Sequence, residues 1–173
     1  NNPFGACPAC DGLGVSSHFD EQLVVPDGSI TLRDGALAPW SSNSSRYYLQ
    51  TLESLARQFT FSLDVPFNEL PADIQSIILH GSGKTPVVME FDDGLRSYRT
   101  TKPFEGVIPT LARRYRETDS AWVREEMDKF RANQPCEAGQ GKRLKPEALA
   151  VKVEAHDITD IARLSIADAR DWF

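Results

Sequence analysis

Several features are scarce in this chain of 173 residues, and each scarcity excludes a class of protein. No apolar run approaches the roughly 20 residues that a membrane-spanning helix needs, so we expect no membrane segment. Only three residues are cysteine, too few for the disulfide framework of a small secreted domain, and their spacing favours reduced, cytoplasmic chemistry. A net charge of −6 argues against unselective binding to nucleic acid.

The hydrophobic content is sufficient for a core. Because 40% of the residues are hydrophobic, the chain can bury a core without covalent cross-links. Its length fits one domain, or one small domain with flanks. The chain begins with Asn1 rather than Met, and we expect it to be an excised part of a longer protein.

The cysteines form the most informative pattern. Cys7 and Cys10 lie in the segment CPACDGLG, which is one half of a zinc knuckle, and Cys136 begins the segment CEAGQGKRL near the other end of the chain. A C-x-x-C turn presents two sulfurs to one ion, and zinc is the usual ion at such turns. Because 125 residues lie between Cys10 and Cys136, a metal site joining the halves would make the middle an insertion with its own core.

The donor set is one ligand short of the four that zinc prefers. The candidate metal ligands are Cys7, Cys10 and Cys136. The usual second half of a knuckle would have a cysteine at Gly139, which has no side chain. The other protein ligands available are His18, His80 and His156, although none has knuckle spacing. Water as the fourth ligand, free thiols without metal, and a bond between Cys7 and Cys10 are the remaining alternatives.

Positive charge is concentrated in one part of the sequence. Residues 96–152 carry 13 Lys and Arg against 8 Asp and Glu, whereas residues 1–95 carry 4 against 12. Such a block can follow a DNA backbone by neutralising phosphates, in a salt-sensitive mode that ignores base sequence. The candidate DNA-binding residues are Arg96, Arg99, Lys102, Arg113, Arg114, Arg116, Lys142, Arg143 and Lys145. The alternative is a mixed surface with ion pairs to Glu105, Glu117, Glu125 and Glu126.

The hydrophobic periodicity and the turn residues predict an α+β protein. The predicted helices are Arg46–Phe59 with Ser44 or Ser45 as its cap, Pro71–Leu79, Val107–Arg116, Ala121–Ala132 and Ile166–Phe173. The predicted hairpin joins Val87–Phe91 and Leu95–Thr100 around the turn at Asp93-Gly94. Further extended segments are predicted at Leu23–Val25, Ile30–Leu32 and Leu149–Glu154.

The segment HGSGKT at residues 80–85 invites a nucleotide-binding interpretation that its spacing does not support. A phosphate loop requires a glycine five positions before its Gly-Lys pair, where this chain has Ile78. The segment also follows a predicted helix rather than a strand, so we predict a helix C-terminus and no nucleotide site. The Ser, His and acidic residues form no recognisable catalytic constellation, and Trp40 and Trp122 are predicted to be core residues.

The order and spacing of several segments resemble one protein family across essentially the whole chain. The likeness is carried by NNPFGACPACDGLG at 1–14, YY at 47–48, GSGK at 81–84, PFEGV at 103–107, RRYRET at 113–118, VREE at 123–126, PC at 135–136 and KRL at 142–144. In these segments the chain is similar to the UvrA family, the A subunits of excinuclease ABC.

The resemblance implies a function in nucleotide excision repair. Members of the family are dimeric ABC-type ATPases that find bulky or distorting DNA lesions and load UvrB at the damage. By this likeness the chain holds the zinc module with its insertion domain, which is expected to contact damaged double-stranded DNA. UvrB and a second UvrA subunit are implied as partners of the parent protein, through parts outside this chain.

The resemblance also has two departures. Walker A, Walker B and Leu-Ser-Gly-Gly signature motifs are not in the sequence, so ATP is expected only in the parent protein, and no enzyme activity is expected from this chain. Gly139 replaces a zinc ligand of the family, which leaves zinc as a cofactor open.

The sequence therefore predicts an α+β fold, with small helices and short antiparallel hairpins inserted between two halves of a zinc-knuckle module. The zinc-module flanks are predicted at residues 1–35 and 133–173, and the insertion domain at 36–132. A protein-binding module with a DnaJ-like zinc knuckle is an alternative, although DnaJ-type chaperones repeat their knuckles at short intervals. A catalytic zinc hydrolase is a third, which would need an ordered water and a nearby carboxylate base.

Overall fold

Two compact units make up the chain. The computed structural model describes residues 3–41, 46–92 and 94–173. Unit 1 combines the residues up to His18 with Asn133–Phe173, whereas unit 2 is the continuous segment Phe19–Ala132. The chain therefore leaves unit 1 near one knuckle half and returns to it near the other.

Short helices account for most of the regular structure. The α-helices are α1 (Glu21–Val24), α2 (Ala38–Ser41), α3 (Arg46–Phe59), α4 (Ala72–His80), α5 (Val107–Glu117), α6 (Ala121–Asp128), α7 (Pro146–Leu149), α8 (Ile158–Ile161) and α9 (Ile166–Trp172). The strands are β1 (Val15–Phe19), β2 (Pro86–Asp92), β3 (Ser97–Pro103) and β4 (Arg131–Pro135). Single 3₁₀ turns lie at Pro3–Gly5 and Phe67–Glu69. No helix among the described residues is long and apolar enough to span a bilayer.

The strands form two-stranded sheets, which together with the helices confirm the predicted α+β class. One sheet pairs β1 with β4, and the other pairs β2 with β3. The second is an antiparallel hairpin whose register runs from Pro86 opposite Pro103 to Asp92 opposite Ser97.

The core of unit 2 forms where helices and β2 bury their apolar faces. Leu52 and Leu55 are three residues apart on α3, so both lie on its buried face. On β2 the alternate residues Val87, Met89 and Phe91 are buried, as expected of a strand with one face in a core. Packing of α3 against β2 therefore fixes the position of the hairpin.

The start of unit 2 differs from the boundary expected at residue 36. Val24 and Leu32 are buried in the same core as the helices that follow them. Burial of these side chains ties residues 19–35 to unit 2 rather than to the knuckle.

Side chains of α3 also bond to the backbone of β2. The amide nitrogen of Gln50 donates to the carbonyl of Asp92 at 2.8 Å, and that of Gln58 donates to the carbonyl of Pro86 at 2.7 Å. The backbone N–H groups of Asp92 and Val88 donate to the same two glutamines, both at 3.2 Å. The helix therefore pairs strand groups that a third strand would otherwise satisfy.

The HGSGKT segment is a helix terminus, as its spacing predicts. α4 ends at His80 with Gly81, whose φ is 100°, as its C-cap, and α5 begins after Gly106, whose φ is 95°. A Cβ on Gly81 would lie 2.5 Å from the carbonyl oxygen of Glu105, and one on Gly106 would lie 2.5 Å from the nitrogen of Gly81. Ser82 completes this contact, because its Oγ accepts the N–H of Phe104 at 2.9 Å. Only glycine allows the two chain segments to approach so closely.

Most predicted helices form where the sequence places them. α3 has the predicted bounds, and α4, α5, α9 and the β2–β3 hairpin occupy their predicted regions. The caps predicted at Ser44 or Ser45, and Asp93 of the predicted turn, lie outside the described residues.

None of the three further extended segments forms a strand, and in Ile30–Leu32 Thr31 makes an isolated bridge to Pro66. Leu149 ends α7, and Glu154 and Ala155 have φ of 49° and 69°, which no strand tolerates. Around Leu23–Val25 the chain instead forms α1, because the Asp20 carboxylate accepts the N–H of Gln22 and caps the turn.

Two predictions about α6 are also wrong. The helix ends at Asp128 rather than Ala132, because the chain turns there and enters β4. Trp122, predicted to be core, is 69% exposed, whereas Trp40 is buried as predicted.

Candidate metal centre and nucleic-acid interface

The three cysteines meet in unit 1. Cys7, Cys10 and Cys136 are all buried, and their sulfur atoms lie within 4.8 Å of one another. The sulfurs of Cys7 and Cys136 are 3.9 Å apart. The structure thus brings together the three metal ligands that the sequence proposes.

Backbone hydrogen bonds join the two knuckle halves around the sulfurs. The N–H of Cys7 donates to the carbonyl of Arg143 at 2.9 Å, and the N–H of Cys136 donates to the carbonyl of Gly14 at 3.0 Å. Gly14 has a φ of 78°, and a Cβ there would lie 2.7 Å from the Cγ of Arg143. The glycine after the C-x-x-C turn is therefore required for the halves to meet.

The environment of the sulfurs separates the pKa values of the thiols. Burial raises the pKa of Cys10, but the N–H of Gly14, 3.2 Å from the sulfur, and bonds from the neighbouring thiols outweigh it, so the pKa is lowered. The N–H of Gly139 lowers the pKa of Cys136, but burial and the adjacent Cys10 and Cys7 outweigh it, so the pKa is raised. A thiolate at Cys10 is the form that binds a metal ion.

The spacing of the sulfurs fits zinc. Sulfurs about 2.3 Å from a tetrahedral zinc ion lie about 3.8 Å from one another, close to the 3.9 Å between Cys7 and Cys136. Zinc bound there would supply cross-linking between the knuckle halves. Among the described residues, no His, Asp or Glu joins the three sulfurs as a further ligand.

The histidines considered as fourth ligands are therefore not in this group. The Nε2 of His80 lies 2.8 Å from a carboxylate oxygen of Glu21, and the Nδ1 of His156 lies 2.8 Å from the carbonyl of Glu154. His18 lies on β1, also outside the group. A Cβ placed on Gly139 would instead lie 3.2 Å from the sulfur of Cys7.

Arg113 on α5 is engaged by two carboxylates. Its Nε donates to both oxygens of Glu105, at 3.0 and 3.2 Å, and its Nη1 donates to Glu117 at 2.9 Å. These bonds raise the pKa of Arg113, and the guanidinium holds the pKa of Glu105 below its usual range. The charge of Arg113 is therefore balanced within unit 2.

Other candidate cations on α5 and β3 are not balanced in this way. Arg114 donates to the hydroxyl of Tyr48 at 2.9 Å, which is a neutral partner. Arg116 and Lys102 are exposed and have no ion pair within 4.0 Å among the described residues. Arg114 and Arg116 therefore keep a charge without a carboxylate partner among the described residues, whereas the charge of Lys102 helps to lower the pKa of Glu105.

The remaining candidates on the hairpin are Arg96 and Arg99. Arg96 lies in the turn between β2 and β3. Arg99, on β3, is 3.7 Å from the carboxylate of Glu90, which Arg57 also approaches to 3.3 Å. Glu90 is therefore shared between two cations, and the group keeps a net positive charge.

The candidate cations of unit 1 have mainly structural contacts. The Nζ of Lys142 lies 2.8 Å from the buried carboxylate of Asp157, which raises the pKa of Lys142 and lowers that of Asp157. Arg143 contributes its carbonyl to the knuckle, and the N–H of Lys145 donates to the carbonyl of Gly5 at 3.0 Å. Of these, Lys142 is the one whose charge is neutralised in the protein.

A row of aromatic rings in unit 2 is the feature that sequence reasoning missed. Tyr98 stacks on Phe91 with centroids 5.0 Å apart, and Phe91 stacks on Tyr47 at 4.6 Å. Tyr47 meets Tyr48 edge-on at 5.6 Å, and Tyr48 stacks on Trp40 at 4.6 Å. The rings come from α2, α3, β2 and β3, so only the Tyr47-Tyr48 doublet is visible in the sequence.

A cleft of about 420 Å³ beside this row brings two candidate cations together. Tyr47, Tyr48 and Trp40 form part of its wall, and Lys102 lies on the same wall with Arg113 and its carboxylate partner Glu105. Aromatic faces beside cations are a combination suited to nucleic acid.

Comparison with known proteins agrees with the likeness seen in the sequence. Residues 20–129 match the family model described as UvrA DNA-binding domain. Over all 173 residues the chain is 53% identical to UvrABC system protein A of Mesorhizobium japonicum and to that of Brucella abortus. The chain spans only 18% of the length of each of these relatives.

A solved structure gives the same result. UvrA2 from Deinococcus radiodurans matches 99% of this chain with a TM-score of 0.69 and 28% sequence identity, and the match covers 22% of that protein. Sequence identity, family model and fold agree, and the chain therefore belongs to the UvrA family, whose DNA-binding domain model matches unit 2.

Proposed function

We propose that this chain serves nucleotide excision repair by engaging damaged double-stranded DNA, and that unit 2 makes the contact through phosphates and duplex shape. The match of residues 20–129 to the UvrA DNA-binding domain supports this role. In this proposal the parent protein acts in the cytoplasm. UvrB, a second UvrA subunit and ATP bind to parts of the parent protein outside this chain. This chain itself contributes binding and no catalysis.

The charge of the segment from β3 to the end of α5 is the observation that carries the proposal. From Arg96, just before β3, to Glu117 at the end of α5 there are six Lys and Arg and two acidic residues, in a chain whose net charge is −6. Phosphate contacts of this kind release counterions and do not depend on base sequence. They suit lesions of unrelated chemistry, which share distortion of the duplex rather than a common structure.

The contacts of individual side chains rank the candidates. Lys102, Arg114 and Arg116 make no ion pair within 4.0 Å in the part of the chain that the structure describes, and they are proposed to bind phosphates directly. Arg113, held by Glu105 and Glu117, is proposed to position α5 rather than to bind DNA.

The aromatic row is proposed to add stacking where a lesion loosens the duplex. Tyr47 is 46% exposed and lines the cleft beside Lys102. A base that has lost its stacking neighbour can stack on an aromatic ring, and such contacts tolerate any base. This would favour distorted duplexes over intact ones.

A structural zinc ion at Cys7, Cys10 and Cys136 is the cofactor we propose for unit 1. The sulfur spacing and the lowered pKa of Cys10 support it. Structural zinc contributes on the order of 10 kcal/mol to folding. Its function here is to hold the knuckle halves together.

Fluorescence anisotropy tests the DNA contact. The 173-residue chain is titrated with labelled intact duplex and with the same duplex carrying one bulky adduct, at several salt concentrations. We expect tighter binding to the adduct and a clear loss of affinity as salt rises. Equal affinities that do not change with salt would contradict the proposal.

A further inference from the structure

We propose that Gly139 makes the thiol cluster a three-sulfur zinc centre whose fourth ligand is a solvent molecule. The inference rests on the proposed zinc site and adds to it the composition of the ligand set. It concerns one residue of this chain, and it is independent of the DNA contact proposed for unit 2.

The first step is the composition of the cluster. Zinc takes four ligands in a structural site. The sulfurs of Cys7, Cys10 and Cys136 lie within 4.8 Å of one another. No His, Asp or Glu among the described residues places a ligand atom in this group. A zinc ion held by these sulfurs therefore needs one ligand that is not a described side chain.

The second step is the place where a fourth side chain would enter. A Cβ on Gly139 would lie 3.2 Å from the sulfur of Cys7 and 3.6 Å from its Cβ. A cysteine at this position would therefore carry its sulfur among the other three, after a shift of a few tenths of an ångström. The backbone does not oppose it, since Gly139 is not among the residues with positive φ.

Gly139 lies beside the sulfurs but cannot itself supply the fourth ligand. Gly139 and the three cysteines are buried. The carbonyl of Gly139 accepts the N–H of Lys142 at 2.7 Å. The backbone at Gly139 is thus held beside the sulfurs, and because glycine offers no side-chain donor atom, the fourth ligand has to come from solvent.

This ligand set has consequences for metal exchange. A solvent ligand is held less tightly than a fourth thiolate, so zinc should leave this centre faster than it leaves a four-sulfur site. Gly139→Cys should supply the fourth sulfur and slow the exchange. Gly139→Ala adds a Cβ without a donor atom and is the matched control.

X-ray absorption on the zinc-loaded 173-residue chain tests the inference. We expect three sulfurs and one lighter oxygen or nitrogen ligand in the natural chain and in Gly139→Ala, and four sulfurs in Gly139→Cys. Zinc transfer to a chromogenic chelator should be at least tenfold slower in Gly139→Cys than in the natural chain. Four sulfurs or a bound imidazole in the natural chain would overturn the inference while leaving the zinc site itself supported.

A second measurement covers the case in which Gly139→Cys does not fold. Cobalt replaces zinc in the natural chain, and the sulfur-to-cobalt charge-transfer absorption is compared with that of three-thiolate and four-thiolate reference complexes. Intensity matching three thiolates supports the inference, and intensity matching four overturns it. Failure of the natural chain to bind either metal would overturn both the zinc proposal and this inference, but not the DNA contact.

Discussion

The sulfur atoms of Cys7 and Cys136 lie 3.9 Å apart, although 129 positions separate the two residues in the sequence. Backbone hydrogen bonds between Cys7 and Arg143, and between Cys136 and Gly14, join the same two segments. Unit 1 is therefore built from two distant segments that meet at a buried thiol cluster.

Loss of one thiol should loosen unit 1 selectively. Cys136→Ser should abolish stoichiometric zinc binding and remove amide protection from residues 133–145, because a structural zinc contributes on the order of 10 kcal/mol to folding. Hydrogen exchange read by mass spectrometry checks this, with α3 as an internal reference in unit 2. Ala138→Ser, at an exposed neighbouring position, is the control and should change neither zinc content nor protection.

The close approach of Gly81 and Gly106 should make Gly81 intolerant of substitution. Gly81→Ala places a Cβ 2.5 Å from the carbonyl oxygen of Glu105 at a φ of 100°, and backbone strain alone costs about 1–3 kcal/mol. Gly83→Ala also has a positive φ but meets no atom within 4 Å. The melting temperature should therefore fall further for Gly81→Ala than for Gly83→Ala. An equal fall for the two variants would contradict the close contact as its cause.

Tyr47 should contribute more to the affinity for distorted DNA than to the affinity for intact duplex. Tyr47→Ala should weaken binding to a duplex with one unstacked base by about 1–3 kcal/mol, the range for aromatic stacking on a base. Tyr47→Phe keeps the ring and should bind almost as the natural chain does. Anisotropy titrations with both duplexes measure the difference. If the two variants bind alike, stacking by Tyr47 is excluded.

The ion pair of Asp157 with Lys142 should make the stability of unit 1 fall in acid. Bonding to Lys142 lowers the pKa of Asp157 in the folded state, so the ionised carboxylate stabilises the fold above the ordinary carboxyl pKa of about 4. That contribution is lost as pH falls towards the lower folded pKa.

Asp157→Asn tests this dependence. The variant should unfold at a lower temperature than the natural chain at pH 7, and the difference should shrink by pH 3. Asp171→Asn is the control, since Asp171 is exposed and its carboxylate pairs with the exposed neighbour Arg170. A difference that stays constant from pH 7 to pH 3 would exclude the ion pair as its cause.

Long periodic elements could be predicted from the sequence, whereas short ones could not. α3 has 14 residues and a clear apolar face, so its period identifies it. α1 and α7 have four residues each, fewer than two turns, and their identity depends on capping by Asp20 and on Pro146 at the first turn. β4 directly follows α6, and its pairing with β1 across the chain is not encoded locally.

For the candidate site, too, one part could be predicted from the sequence and another could not. The C-x-x-C turn and Cys136 could be predicted to meet, because their segments match the two halves of one zinc knuckle. The aromatic row could not, since its rings come from separate elements whose packing brings them together. Nor does the sequence tell that Arg113 is balanced by Glu105 and Glu117 while Arg116 is not.

Unbalanced cations of unit 2 are proposed to bind DNA phosphates, and the salt dependence of binding distinguishes them from cations that are already paired. Binding of the natural chain, Arg116→Ala and Arg113→Ala to one duplex is measured across salt concentrations. Each phosphate contact contributes about 0.9 to the slope of log affinity against log salt. We predict that Arg116→Ala lowers the slope by about one contact, whereas Arg113→Ala leaves it nearly unchanged. An unchanged slope for Arg116→Ala, or a natural chain with no slope, would contradict the account.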